Sequence, residues 1–137
     1  MHPPPSLLTK PLTWAYQWYQ RRVRVRVLVH RAYFTEPGSA QCFFIKVTNL
    51  SRDRDIEITH IWFETNPRVD ILNPDRPLTA ILPPAKTFET WVPVAAVPDV
   101  PNVEQLGRVL LSNGDTIKSR LNKDVPPVGY VAQGGQQ

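Results

Sequence analysis

Val23, Val25, Val27 and Val29 alternate without a break with Arg24, Arg26, Leu28 and His30. In an extended chain successive side chains point to opposite faces, so this period of two gathers four β-branched residues on one side and the cations on the other. A helix of the same composition would scatter both sets around its circumference. The segment therefore predicts a half-buried β-strand, with the valines against a core and the arginines toward water.

The rest of the chain repeats the pattern in weaker form. Pro37-Gly38-Ser39 turns the chain into Gln41 to Thr48, where Phe43, Ile45 and Val47 share a face and Cys42 and Phe44 occupy the other. After the polar stretch from Asn49 to Asp55, Ile56 to Glu64 reads as a third strand, apolar in part on both faces. Asn66-Pro67 and Asn73-Pro74-Asp75-Arg76-Pro77 then break the chain into short pieces, Val69 to Leu72 and Leu78 to Leu82. Proline has no N–H for a ladder, so these pieces are expected at edges or in crossovers. Thr87 to Val94 places Phe88, Thr90, Val92 and Val94 opposite Glu89 and Trp91. Asn102, Gln105 and Gly107 carry the signals of a single capped helical turn. Arg108 to Leu111 and Thr116 to Ser119 flank Ser112-Asn113-Gly114-Asp115, and Asn-Gly predicts a hairpin closed by a type I′ turn.

About seven short strands, frequent turn signals and little helix predict an all-β antiparallel sandwich or small barrel. The 137 residues hold one core. Residues 1–22 read as a proline-rich leader followed by an aromatic and basic segment, residues 23–121 as the β domain, and residues 122–137 as an extended tail. Pro11 stands where a helix can start, and Leu12, Ala15, Tyr16 and Tyr19 have helical spacing, which predicts a short N-terminal helix.

Phe44-Ile45-Lys46-Val47-Thr48-Asn49-Leu50-Ser51, then a strand containing Trp62, then Leu82-Pro83-Pro84 leading into Thr87 to Val94, resembles the immunoglobulin-like β-sandwich of bacterial accessory domains. The resemblance covers roughly Val23 to Leu121 and implies architecture alone. The paired cysteines of antibody domains are missing, since Cys42 is the single cysteine; in its apolar run it reads as a core thiol.

Chemistry-bearing motifs are sparse. No CxxC, HExxH, glycine-rich phosphate loop or GxSxG elbow occurs, so neither catalysis nor a cofactor is expected. Asp53, Asp55 and Glu57 alternate, but Arg52 and Arg54 interleave them and no glycine permits a calcium-loop turn. His30 continues the outward face of the first strand and reads as a solvated histidine. His60 is in phase with Ile58 and Trp62 and reads as a hydrogen-bonded structural histidine pointing into the sandwich or to its rim. An enzyme would need His60 joined by carboxylates such as Glu64 and Asp70. Asn49-Leu50-Ser51 fits a glycosylation acceptor, but no signal peptide or membrane-length apolar run accompanies it, which makes a cytosolic or cytosol-facing location the default.

Charge is distributed unevenly. Residues 1–35 carry six basic and no acidic residues, whereas the remainder holds ten basic against twelve acidic. Any anionic partner is thus drawn to the N-terminal quarter. There Trp14, Tyr16, Trp18 and Tyr19 stand beside Arg21, Arg22, Arg24 and Arg26. Three arrangements satisfy this composition: a segment folded back on its own domain, one docked on another protein with an acidic or apolar groove, or one contacting nucleic acid or a membrane surface. Tryptophan, tyrosine and arginine dominate binding hot spots. The expected function is therefore a protein-protein interaction or scaffolding module using these eight residues, with nucleic-acid or anionic-surface binding as the alternative.

Overall fold

A computed structural model describes residues 23–124 and 131–132. The regular structure of the described chain is two five-stranded sheets, with two single 3-10 turns besides. The expected N-terminal helix lies outside the described residues.

The valine-arginine segment opens β1 (Val25–Phe34), which pairs antiparallel with β2 (Cys42–Asn49) from Val25 against Asn49 to Ala32 against Cys42. β2 pairs in turn with β6 (Thr87–Pro93). The second sheet is centred on β3 (Ile56–Phe63). One edge of β3 takes β7 (Gly107–Leu111), followed by β8 (Thr116–Lys118). The other edge takes the short β4 (Val69–Asp70) and β5 (Ala80–Leu82), so the proline-broken pieces do lie at an edge. Single 3-10 turns at Val94–Ala96 and Val103–Gln105 connect β6 to β7.

The inward residues of both sheets meet in one core: Val27, Val29, Phe43, Ile45 and Val47 from the first, Ile56, Ile58, Ile61, Phe63, Val109 and Leu111 from the second. Phe43 and Phe63 join the layers with ring centroids 5.3 Å apart. Each such side chain contributes roughly 1.5–3 kcal/mol by leaving water.

Outward, the first sheet changes character along its length. Its cross-strand rows run from Arg26-Thr48-Thr87, through Leu28-Lys46-Glu89, to His30-Phe44-Trp91. Phe44 is fully buried there, flanked by His30, Phe34 and Trp91, with the Arg76 guanidinium 4.8 Å from the Trp91 ring centroid. His30 is accordingly not solvated. Its outward phase is as expected, but that end of the outer face is an aromatic cluster, and His30 is only 3% exposed.

Three other local expectations are corrected. A bulge between Ile58 and His60 shifts the phase of β3, so His60 is exposed beside Thr59 instead of at the rim of the core. The hairpin between β7 and β8 forms, but only Gly114 has positive φ, +95°. Its loop is a turn closed by Gly114 N–H donating to Leu111 O, with the Asn113 side chain accepting from Asp115 N–H. A type I′ turn needs positive φ at Asn113 as well. Asn102 adopts the left-handed conformation and makes no side-chain cap at Val103–Gln105.

Candidate interaction surface

The basic face begins at a buried asparagine. Asn49 is fully buried, and its Nδ2 donates to Arg54 O at 2.7 Å and Leu82 O at 2.9 Å, while Oδ1 accepts from Ser51 N–H. Ser51 Oγ then accepts the Arg24 N–H at 2.9 Å. The motif that matches a glycosylation acceptor is thus an internal brace holding the entrance to β1. From that entrance Arg24 and Arg26 project into solvent on the outward face. The other residues expected at this surface, Trp14, Tyr16, Trp18, Tyr19, Arg21 and Arg22, lie outside the described residues.

Several cations elsewhere among the described residues are committed to partners. Arg31 pairs with Glu104 at 3.0 Å and lies over the Phe43 ring. Lys46 faces Glu89 at 3.8 Å, and Arg68 pairs with Asp70 at 2.9 Å while covering Trp62. Arg108 donates to the carbonyls of Gln105 and Gly107. By contrast, the side chains of Arg24, Arg26, Arg120 and Lys123 have no ion pair, hydrogen bond or ring contact among the described residues, and all four are exposed.

Three of these four line one groove of about 580 Å³, whose walls include Arg26, Leu28, Arg120, Leu121 and Lys123, with Asp124 as its carboxylate. Arg54, Lys86 and Lys118 are also exposed, but they do not line it.

The groove exists because the chain changes sheets at Ser119. β8 belongs to the second sheet, yet β9 (Arg120–Leu121) runs parallel to β1, with Arg120 abreast of Leu28. Ser119 fixes the crossing. Its Oγ accepts Gly107 N–H at 2.8 Å and donates to Glu104 O at 2.6 Å, and its own N–H donates to Gly107 O. A Cβ at Gly107 would lie 2.7 Å from that Oγ, so this close approach requires glycine. Asn122 N–H donating to Val29 O completes the attachment, and β10 (Val131–Ala132) continues along β1 at Tyr33 and Phe34.

Arg120 and Lys123 were not legible as partners of Arg26. Their own segment looks like the end of a hairpin, and a parallel pairing across some ninety residues leaves no local signal.

The remaining candidates are engaged elsewhere. Glu64 accepts the Trp62 indole N–H and Asp70 accepts from Arg68, so neither is gathered at His60. Burial pushes the Cys42 thiol up, away from the thiolate form that reacts. No cluster of three or more metal-ligating side chains occurs among the described residues, and none of their helices is long and apolar enough to cross a membrane. Comparisons with protein-family models, curated proteins and solved structures give no significant match to this chain.

Proposed function

We propose that the protein is a non-catalytic interaction module of immunoglobulin-like β-sandwich architecture, which binds another protein through the basic surface at the start of β1. The architectural reading is supported by the partition of strands: β1, β2 and β6 in one sheet, β4, β3, β7 and β8 in the other. Immunoglobulin-like sandwiches divide their strands in this way, with the second strand paired to a late one in one sheet and the third paired to a late one in the other, as β2 pairs with β6 and β3 with β7.

The observation that carries the functional reading is the sorting of the cations. Arg31, Lys46, Arg68, Arg76 and Arg108 are neutralised or stacked within the fold, whereas of the exposed cations without a side-chain partner Arg26, Arg120 and Lys123 line one groove, with Arg24 two residues before Arg26. Exposed cations of one sign accelerate encounter with an acidic partner and set its orientation. The segment containing Trp14, Tyr16, Trp18 and Tyr19 joins the chain immediately before this face, and its aromatic side chains would supply apolar contact area at small entropic cost.

The test is a pull-down from native lysate, with and without nuclease, comparing the intact chain, the R24E/R26E variant and a chain beginning at Arg22. Circular dichroism confirms that each is folded. A discrete protein that survives nuclease and is lost with R24E/R26E is the expected result. Capture abolished by nuclease alone would transfer the surface to polyanion binding, the second reading of the same stripe.

A further inference from the structure

The groove where β9 joins β1 is more than a charged patch, because its walls alternate in kind. Arg26 and Leu28 are two residues apart on the outward face of β1, roughly 6.6 Å along the strand. Arg120 stands abreast of Leu28, and Leu121, 45% exposed and paired with Val29, also lines the groove. Lys123 adds a second cation on the β9 side, and Asp124 places a carboxylate in the same wall.

Resting on the interaction reading above, we propose that this groove takes an extended peptide segment of a partner protein in which an acidic residue and an aliphatic residue are separated by one residue. The carboxylate sits between Arg26 and Arg120. The aliphatic side chain, on the same face of the extended peptide, covers Leu28 and Leu121. The spacing follows from matching one strand period in the peptide to one in β1.

Nucleic acid fits this groove less well for three reasons. Asp124 opposes a continuous run of phosphates. Leu121 would stay exposed beneath a charged backbone. Among the described residues no aromatic ring lines the groove to stack on a base. Among the described residues three cations line the groove, and about three neutralised charges are too few for the affinity that phosphate contacts alone would have to supply.

The experiment uses the full chain and fluorescence anisotropy with labelled ten-residue probes. The first carries Glu-Ser-Leu within a Gly-Ser background. Companions replace its Glu by Gln, its Leu by Ser, or its Glu by Lys, and the last probe is a ten-nucleotide oligothymidine. Loss of either the carboxylate or the leucine should weaken binding at least fivefold. R26E/R120E should lose the Glu probe and gain the Lys probe, and L121S should blunt the preference for leucine; R26Q/R120Q serves where the charge reversal does not fold.

Equal binding of the Glu and Gln probes, failure of the intact chain to bind the Glu probe, or tighter binding of oligothymidine that ignores L121S would overturn the inference. A chain that still captures a protein through an R24E/R26E-sensitive contact while ignoring the peptide would overturn this specificity alone and leave the interaction reading standing.

Discussion

His30 is held in the first sheet's outer aromatic cluster, 5.5 Å from the Phe44 ring and nearly parallel to it. Burial, reinforced by the Lys46 ammonium, lowers its pKa from 6.5 to about 4. The folded chain therefore prefers the neutral ring, while the unfolded chain takes up a proton near pH 6.5. Stability from this residue is complete above that pH and is lost as pH falls toward 4, by on the order of 3 kcal/mol in all. Glu89 acts in the opposite sense. Burial raises its pKa against the pull of Lys46 and Arg76, so acid relieves the cost of its buried charge. Urea midpoints should fall between pH 7 and pH 5 in the natural chain and hold nearly level in His30→Phe; parallel curves would remove His30 as the cause. At Asn49, truncation to alanine leaves the carbonyls of Arg54 and Leu82 and the N–H of Ser51 without the amide that serves them. We expect a loss of about 2–4 kcal/mol by chemical denaturation, and a loss below about 1 kcal/mol would mean that water replaces the brace.

At the scale of the element, the decisive join is between β7 and the segment entering β9. Gly107→Ala places a methyl against Ser119, whose hydroxyl is bonded on both sides and has little room to retreat. The expected cost is about 1–3 kcal/mol by chemical denaturation. Equal stability of Gly107→Ala and the natural chain would show that β9 is not fixed this way.

The same element marks the limit of what sequence pattern reveals. β1, β2, β3, β6 and the β7–β8 hairpin were legible because each combines apolar alternation with a turn signal beside it. The bulge that exposes His60 was not, since one extra residue reverses every later side chain without altering composition. The aromatic cover over Phe44 was equally hidden, because Trp91 and Phe34 reach it only through pairings set by the sheet. Of the candidate surface, Arg24 and Arg26 were legible from strand phase, whereas Arg120 and Lys123 depend on a sheet-to-sheet crossing that only the fold supplies.

Across the whole molecule, net charge and charge placement make different predictions. The formal charge of +4 would attract any anion weakly from all sides. Three exposed cations gathered around one groove with an apolar wall, Arg26, Arg120 and Lys123, instead localise the attraction, so binding should weaken with salt without vanishing at the ionic strength that screens exposed charges. The two can be separated by moving the same charge change around the surface. Lys118 is exposed, belongs to the second sheet and does not line the groove. The measurement is the affinity of the captured partner for the natural chain, R26E/R120E and K118E at one ionic strength. A loss of tenfold or more in R26E/R120E, with K118E within twofold of the natural chain, is what a located basic surface predicts. If instead K118E weakens binding by as much per charge as the groove variant, the attraction is set by net charge and the claim of a specific surface is wrong.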